Sequence, residues 1–259
     1  MVETNMYAES KTWNPYVGCQ FDCTYCEPSF KRQLKRVSKN PEVWEGIEDY
    51  SQDIYKRNLQ KGGCELCGDY LPHYHPERLI TRRMPSSPIV FVSGTGDISF
   101  CDPKYVRSIF ESIKLHKPKN IRTYYFQSKN PQYLSQFVEE YPEGTVLLTT
   151  LETNRDEGYT RISKAPLPSV RFRDFLALDF PKKVITIEPV LDFDVEPFVD
   201  WMIQLMDQGN LEYVWFGFNS KPGQVRLPEP SQEKAQEFVD HLKAVGILVK
   251  GKTLREVKI

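Results

Sequence analysis

The amino-acid sequence predicts an α/β protein in which parallel strands alternate with helices. Five short runs of β-branched and aromatic residues are almost continuously apolar, which is typical of strands covered on both faces. They span residues 89–92, 123–126, 146–149, 184–187 and 213–216. The chain of 259 residues is long enough to bury one large core. These observations leave open a doubly wound sheet and a full or partial (β/α) barrel.

Stretches with helical spacing separate the predicted strands. In residues 104–115 the apolar side chains recur at positions i, i+3, i+4 and i+7, and Pro103 stands where a first helical residue would. Residues 193–207 and 231–245 repeat this pattern. Residues 40–85 interrupt the alternation, because they contain a Cys pair and two histidines but no long apolar run. We therefore expect an inserted Cys/His metal-binding segment there.

Composition narrows the classes of function. The formal net charge is -1, so a nucleic-acid surface would have to be a local patch. No window approaches the roughly 18 consecutive apolar residues of a membrane span, and the first residues lack a leader pattern. We therefore expect a cytoplasmic protein without a membrane partner. Five of the six cysteines fall within the first 67 residues, which favours metal ligands or reactive thiols over disulfides.

The most specific motif is the C-x3-C-x2-C array of Cys19, Cys23 and Cys26. Three thiolates this close can wrap one cluster, and soft sulfur ligands favour iron-sulfur clusters or zinc. In a 4Fe-4S cluster one iron would lack a protein ligand, and an open coordination position usually marks chemistry. Two alternatives remain, a zinc site completed by a distant residue and a four-Cys electron-transfer cluster. Tyr25, just before the third cysteine, and the Asn14-Pro15 turn fit a tight ligand loop.

The array, one segment just before it and four later segments together resemble the radical S-adenosylmethionine (SAM) superfamily. In order, the segments resemble phage Gp37/Gp68-type radical SAM proteins, and more distantly spore photoproduct lyase. The similarity extends roughly over residues 10–225, with residues 40–85 outside it. The matching segments are residues 13–15, 93–97, 126–131, 151–154 and 187–191.

The resemblance implies a fold, an activity and two cofactors. The fold is a partial (β/α)6 TIM-like barrel, with residues 1–259 as a single radical SAM domain. The cofactors are a 4Fe-4S cluster and SAM, whose amino and carboxylate groups bind the open iron. An electron from a flavodoxin- or ferredoxin-type donor then cleaves SAM to methionine and a 5'-deoxyadenosyl radical. The chain is thus expected to be an enzyme that abstracts hydrogen from a substrate.

Several polar residues follow the predicted strands, where ligands bind in parallel α/β folds. The first group is Ser93, Gly94, Thr95, Gly96 and Asp97. Its glycines would let the backbone approach a ligand closely, and Thr95 and Asp97 offer polar groups to an ammonium. Superfamily members usually carry a Gly-Gly-Glu-like segment here. This chain departs from it, so which side chain contacts the SAM amine stays open.

The remaining candidates for SAM contact follow the next three predicted strands. By analogy with spore photoproduct lyase, Lys129 would meet the SAM carboxylate, and the alternative is a solvated loop lysine. Glu152 and Asn154 could bind the ribose hydroxyls. Glu188 is the last of the set, and its alternative is an internal ion pair at the barrel mouth. The arginines considered as partners are Arg161, Arg171 and Arg173.

A second metal site is predicted at Cys64, Cys67, His73 and His75. Two thiolates and two imidazoles make a closed tetrahedral zinc site, and such sites fold loops that do not fold alone. The alternatives are an auxiliary iron-sulfur cluster, a redox pair and inert thiols. Cys101 lies near the expected radical and could donate a hydrogen atom, although a lone Cys is more often a small buried apolar residue.

The sequence favours a nucleotide or nucleic acid as substrate. Five basic residues fall at helical spacing after the cysteine array, and stacking aromatics are interleaved with other basic residues. The alternative is a solvated helix face. A peptide or small metabolite is the alternative substrate, and a non-catalytic metal-binding adaptor is the alternative class. The five basic residues are Lys31, Arg32, Lys35, Arg36 and Lys39.

Overall fold

The structure is a computed structural model that describes residues 10–26, 64–80, 83–116 and 122–259. Within these residues, seven strands form one parallel sheet curled into a half-barrel, which confirms the predicted partial TIM-like barrel. A separate antiparallel pair consists of β2 (Tyr16–Val17) and β3 (His73–Tyr74). The strands of the large sheet, in spatial order, are β1 (Ser10–Trp13), β4 (Ile89–Val92), β5 (Thr123–Gln127), β6 (Thr145–Thr150), β7 (Lys183–Ile187), β8 (Leu211–Phe216) and β9 (Val249–Gly251).

The five predicted apolar runs are β4 to β8, and helices lie between them. Helix α2 (Pro103–Leu115) begins as expected from its sequence, with Pro103 in its first turn and the Asp102 carboxylate accepting a hydrogen bond from Lys104 N at 2.7 Å. Helix α4 (Pro168–Ala177) was not predicted, because Arg171 and Arg173 interrupt its apolar spacing. The helices are α1 (Glu65–Asp69), α2 (Pro103–Leu115), α3 (Pro131–Ser135), α4 (Pro168–Ala177), α5 (Val195–Asp207) and α6 (Gln232–Ala244).

The two faces of the sheet have different surroundings. Alternate strand residues such as Val90, Phe126 and Leu147 pack with the helices in the main core. The intervening residues form a second apolar cluster, in which Phe91 and Tyr125 contact each other edge to face. The cluster consists of Phe91, Tyr125, Val146, Leu148, Val184, Tyr213 and Trp215. The middle of the inner face of the half-barrel is therefore filled with packed side chains, which leaves space for a ligand at the carboxyl ends of the strands.

A polar layer lies above that apolar cluster, at the carboxyl ends of the strands. Gln127 Nε2 donates to Thr150 Oγ1 at 2.9 Å and to Thr186 Oγ1 at 3.1 Å. Because side chains alternate along a strand, Gln127 and Thr150 share the inner face with Tyr125 and Leu148. The polar layer forms the floor of the cavity described below.

Two further expectations from the sequence concern the basic residues and membrane spans. The five basic residues between 31 and 39, which were expected to contact nucleic acid, lie outside the described residues. In the described part of the chain, no helix has the length and apolarity needed to cross a membrane.

Candidate functional site

A cavity of about 400 Å³ lies at the carboxyl ends of the parallel strands. This is where open α/β sheets and barrels bind their ligands, and the volume lies within the range of small-molecule sites. Aromatic residues, loop backbone and polar side chains share its wall. The polar and sulfur-bearing lining residues include Cys19, Cys23, Cys26, Tyr25, Thr95, Asp97, Gln127, Lys129, Thr150, Glu188, Asn219 and Lys252.

The three cysteines of the C-x3-C-x2-C array reach this cavity from one loop after β2. Cys26 ends a single 3-10 turn, in which its backbone N–H donates to Cys23 O at 2.9 Å. Phe21 N donates to Cys19 Sγ at 3.4 Å, which orients the first sulfur. All three sulfur residues therefore face one space, as a shared cluster requires.

The environment of Cys23 favours its thiolate. The thiol of Cys26 hydrogen-bonds to it, and although burial opposes ionisation, the Lys129 ammonium lies 3.4 Å from its sulfur. These contacts lower the pKa of Cys23 to about 6. Burial and the Asp97 carboxylate raise the pKa of Cys19 instead. A bound metal ion would overcome this rise in the pKa of Cys19, because a metal deprotonates the thiol that coordinates it.

Glycines bring the cysteine loop against the loop after β4. Gly18 has φ of +99°, and a Cβ there would lie 2.1 Å from Leu71 O. A Cβ on Gly96 would lie 2.6 Å from Gly18 O. Gly94 and Gly96 both line the cavity, where a ligand was expected to approach their backbone closely. The small size of Gly96 also admits the cysteine loop.

Asp97 ties two strand-end loops together. Its Oδ1 accepts hydrogen bonds from Ser128 Oγ at 2.6 Å and from Ser99 N at 3.0 Å, and its Oδ2 accepts one from Lys129 N at 2.8 Å. Burial raises the pKa of this carboxyl, and these donors oppose the rise. Asp97 therefore sets the positions of the loops after β4 and β5, whether or not it also contacts an ammonium.

Two hydroxyl groups in the loop after β4 are buried without a hydrogen-bond partner among the described residues. They are Ser93 Oγ and Thr95 Oγ1. Thr95 belongs to the cavity wall, and its backbone N–H is held by Asn14 Oδ1 at 3.1 Å. A buried hydroxyl in a cavity wall needs a partner, so Thr95 is suited to contact a polar ligand.

Glu152 is the centre of a buried charge network. Its carboxylate and the Arg171 guanidinium lie 2.8 Å apart, and both side chains are 0% exposed. Lys129 Nζ and Tyr25 OH contact the same carboxylate, and Tyr159 OH donates to it at 3.1 Å. Burial alone would raise the pKa of Glu152, but Arg171 and Lys129 lower it to about 2. The carboxylate predicted to hold a ribose is thus occupied by its own protein partners.

Glu188 lines the cavity and pairs with residues that the sequence analysis did not consider. Trp215 Nε1 donates to its Oε2 at 2.7 Å, and Lys252 Nζ lies 3.0 Å from its Oε1. None of the three arginines considered for it is its partner in the structure: Arg171 pairs with Glu152, and Arg173 pairs with Asp174. Lys252 follows β9, and this three-residue strand is too short to give a clear sequence signal.

Four residues predicted to contact SAM or to donate a hydrogen atom are not among the cavity-lining residues: Ser93, Glu152, Asn154 and Cys101. Asn154 Nδ2 donates to Asp194 O at 2.9 Å, and Asn154 Oδ1 accepts from Asp194 N at 2.9 Å, so Asn154 joins two loops. Cys101 is 3% exposed and packs in the main core beside Tyr105. Its position matches the alternative given above, a small buried apolar residue.

The second Cys/His group converges as its spacing predicted. The ligand atoms of Cys64, Cys67, His73 and His75 all lie within 4.8 Å of one another. His73 Nε2 lies 3.4 Å from Cys64 Sγ and 3.2 Å from Cys67 Sγ. His75 Nε2 lies 3.3 Å from Cys67 Sγ and 2.9 Å from His73 Nε2. This group could hold a metal ion.

Comparison with known proteins identifies a structural neighbour and no sequence relative. No protein-family model matches the sequence, and no curated protein matches it. The structure is similar to that of Streptococcus suis SuiB, solved with its precursor peptide SuiA bound. That match has a TM-score of 0.52 and 10% sequence identity, and it covers 94% of this chain and 48% of the SuiB chain. This chain thus spans about half the length of SuiB.

A second structure is similar at a lower level. It is a Bacteroides thetaiotaomicron protein provisionally described as an alpha-L-fucosidase, with 12% identity and a TM-score of 0.37, covering 83% of this chain and 86% of that chain. This score is too low to support an argument. The similarity to SuiB, at 10% identity, concerns the fold alone, so function has to be inferred from the site.

Proposed function

We propose that the protein is a radical SAM enzyme. The observation that carries this proposal is the convergence of Cys19, Cys23 and Cys26 on one cavity at the carboxyl ends of a parallel half-barrel. The donor set suits a 4Fe-4S cluster with one iron free of protein ligands. When bound, such a cluster supplies the electron that cleaves SAM to methionine and a 5'-deoxyadenosyl radical.

The chain's own residues would bind and orient SAM beside the three thiolates. Lys129 has a buried ammonium at the cavity wall, and Glu152 holds it there. A carboxylate entering the cavity would find this cation already positioned. Thr95 Oγ1 offers an unpaired buried hydroxyl on the neighbouring loop. Asp97 contributes by holding both loops in place through the hydrogen bonds that it accepts from Ser128 and Lys129.

The cavity wall also contains aromatic side chains and a second ion pair. Phe91 and Phe218 are both buried and line the cavity. Glu188 and Lys252 form an ion pair that lines it as well. These residues offer a substrate apolar surface and both signs of charge.

Anaerobic reconstitution tests the proposal directly. The wild-type protein should bind about four irons in the triplet and release 5'-deoxyadenosine from SAM when dithionite is added. Cys23→Ala should lose both, whereas Thr24→Ala, an exposed neighbour in the same turn, should retain both. Retention of iron and product by Cys23→Ala would refute the assignment. Zinc in the triplet without SAM binding would identify the alternative, a non-catalytic metal-binding adaptor.

For the substrate, we propose hydrogen abstraction from a nucleotide or nucleic acid. The support comes from the basic residues between 31 and 39 and from the resemblance to a DNA-lesion repair enzyme. Contact with several phosphates predicts affinity that falls steeply with salt. Neutralising Lys31, Arg32, Lys35 and Arg36 together should abolish this salt dependence.

A peptide is the second candidate substrate, because the structural neighbour SuiB was solved with a precursor peptide bound. Absence of nucleic-acid binding at low salt would favour the peptide over the nucleic acid. So would binding that persists unchanged after the four basic residues are neutralised.

A further inference from the structure

We propose that Cys64, Cys67, His73 and His75 bind one zinc ion that fastens the cysteine loop in place. The zinc site itself stands independently of the proposed function, and its effect on a cluster rests on that function. The distances between ligand atoms suit a single tetrahedral ion. Ligands at about 2.0–2.3 Å from zinc lie about 3.3–3.8 Å from one another. The contacts of His73 Nε2 with both sulfurs, at 3.4 and 3.2 Å, are close to this range.

The same distances argue against a two-iron cluster. In a [2Fe–2S] centre with mixed ligands, the Cys pair and the His pair are bound to different irons. Here the two imidazole nitrogens approach each other to 2.9 Å, and each lies within 3.5 Å of a sulfur. The four atoms therefore surround one point, as the ligands of a mononuclear ion do.

Each histidine is oriented by a hydrogen bond from its other ring nitrogen. His73 Nδ1 donates to Leu71 O at 2.6 Å, and His75 Nδ1 donates to Glu77 Oε1 at 2.9 Å. Metal-binding histidines usually have such a carbonyl or carboxylate partner, which fixes the tautomer and turns the Nε2 lone pair toward the ion. Both rings are also buried, at 5% and 3% exposure, which is costly for imidazoles without a ligand.

Residues 64–80 have too little apolar core to hold this arrangement alone. Tyr70 is the only fully buried apolar side chain in the segment, and Leu71 and Ile80 are exposed. The regular structure consists of a five-residue helix, a two-residue strand and one 3-10 turn. Short segments of this kind commonly depend on a structural metal for folding.

The segment is joined to the cysteine loop at successive points. His73, a ligand of the proposed zinc, pairs with Val17 between β2 and β3. Cys19 N donates to Tyr70 O at 3.3 Å, and His75 N donates to Pro15 O at 2.7 Å. The zinc ligands thus hold the backbone on which the first cluster cysteine is placed. Losing the ion would release the partner strand of β2 and the acceptor of the Cys19 amide.

The zinc site is tested first in a protein that cannot bind the cluster. A variant with Cys19, Cys23 and Cys26 all changed to Ala should still contain about one zinc per chain by elemental analysis. Adding His75→Ala should remove that zinc, whereas adding His241→Ala should leave it. His241 is a suitable control because it belongs to a separate group, with Glu196 and Glu237, on an exposed surface. Substituted Co²⁺ should show the visible bands of a tetrahedral thiolate site.

The outcomes separate the two proposals. Absence of zinc from the triple variant, or its loss through His241→Ala, would overturn the assignment. In the cysteine-intact protein, His75→Ala should lower the iron retained after anaerobic reconstitution at least several-fold relative to His241→Ala. If the triple variant binds zinc but His75→Ala leaves iron retention unchanged, the zinc site stands. The claim that zinc holds the cysteine loop in place would then be wrong. If the wild type took up no iron, the radical SAM proposal would fail while the zinc result stood.

Discussion

At the scale of single residues, the buried carboxylate of Glu152 is the feature with the largest expected energetic effect. It has cationic partners on two sides, and Arg171 is completely buried with it. A buried ion pair adds little net stability compared with an apolar pair, but removing one partner leaves a desolvated charge behind. The network thus holds Lys129 at the cavity wall, and removing any one of its charged members should destabilise the fold.

Replacing Arg171 by Met should lower the free energy of unfolding by about 3–5 kcal/mol, because Glu152 would lose its completely buried guanidinium partner. Arg173→Met, on the same helix, should change it by less than about 1 kcal/mol, since Arg173 forms an exposed pair with Asp174. Urea denaturation of the two variants measures both effects. Equal losses would show that Arg171 contributes no more than a surface arginine.

Glu152 also predicts a pH dependence. Its pKa is about 2 in the folded protein, below its ordinary value of 4.5. The stabilisation from its ionised form should be complete above pH 4.5 and should disappear as the pH falls toward 2. The difference in unfolding free energy between wild type and Glu152→Gln should therefore shrink by an amount on the order of 3 kcal/mol over that interval. A difference that stays constant with pH would contradict this assignment.

Sequence patterns predicted the candidate site residues better than the partners of those residues. The cysteine array and the Cys/His group were predicted from spacing, and Lys129 was predicted from its place after a strand and from the family resemblance. Each lies at the cavity or in the ligand cluster in the structure. Arg171 was among the arginines considered as carboxylate partners, and it pairs with Glu152, but the partners of Glu188 were not predicted. Arg171 is on an unpredicted helix and Lys252 follows a three-residue strand, so no local pattern joins them to their carboxylates. Such pairs depend on the tertiary fold.

At the scale of elements, apolar periodicity predicts the central strands of the sheet and the main helices, but it does not predict the shorter elements. β4 to β8 are continuous apolar runs, because both of their faces are covered. The carboxyl end of helix α4 is capped by a lysine from the next strand. The Lys183 ammonium donates to Phe175 O at 2.9 Å and to Leu178 O at 2.7 Å. A lysine at the start of β7 thus satisfies carbonyls that the helix leaves unpaired.

Lys183→Met should destabilise the protein by about 2–3 kcal/mol, because these buried carbonyls would lose a charged donor. Its neighbour Lys182 is exposed, so Lys182→Met provides a matched control and should have almost no effect. Thermal unfolding and hydrogen exchange at the end of α4 measure the difference. Equal stability of the two variants would show that the cap contributes nothing.

At the scale of the whole molecule, the site is assembled from nearly every part of the sheet. The cysteine loop follows β2, Lys129 follows β5, and Glu188 follows β7. Ligand binding in the cavity therefore couples elements that do not contact one another directly. A ligand that binds only the folded state should stabilise the entire half-barrel.

SAM at about 100 times its Kd should stabilise the cluster-loaded protein by about 2.7 kcal/mol. For a chain of this size, that corresponds to a rise in Tm of about 5–10 °C. The variant with all three array cysteines changed to Ala should show little of this rise, since it would lack the open iron. Anaerobic differential scanning fluorimetry measures both. An equal rise in the two proteins would mean that SAM binds independently of the cysteines.

The order of the cavity residues along the chain determines when the cavity is completed during synthesis. The array cysteines leave the ribosome more than two hundred residues before Lys252, which lines the same cavity. Until β9 has paired with β8, one wall of the cavity is missing and the thiols remain accessible to solvent and oxidants. Delivery of iron and sulfide for the proposed cluster should therefore follow translation, and a reducing environment is needed during the interval. Truncated nascent chains would expose reactive cysteines that the complete fold shelters.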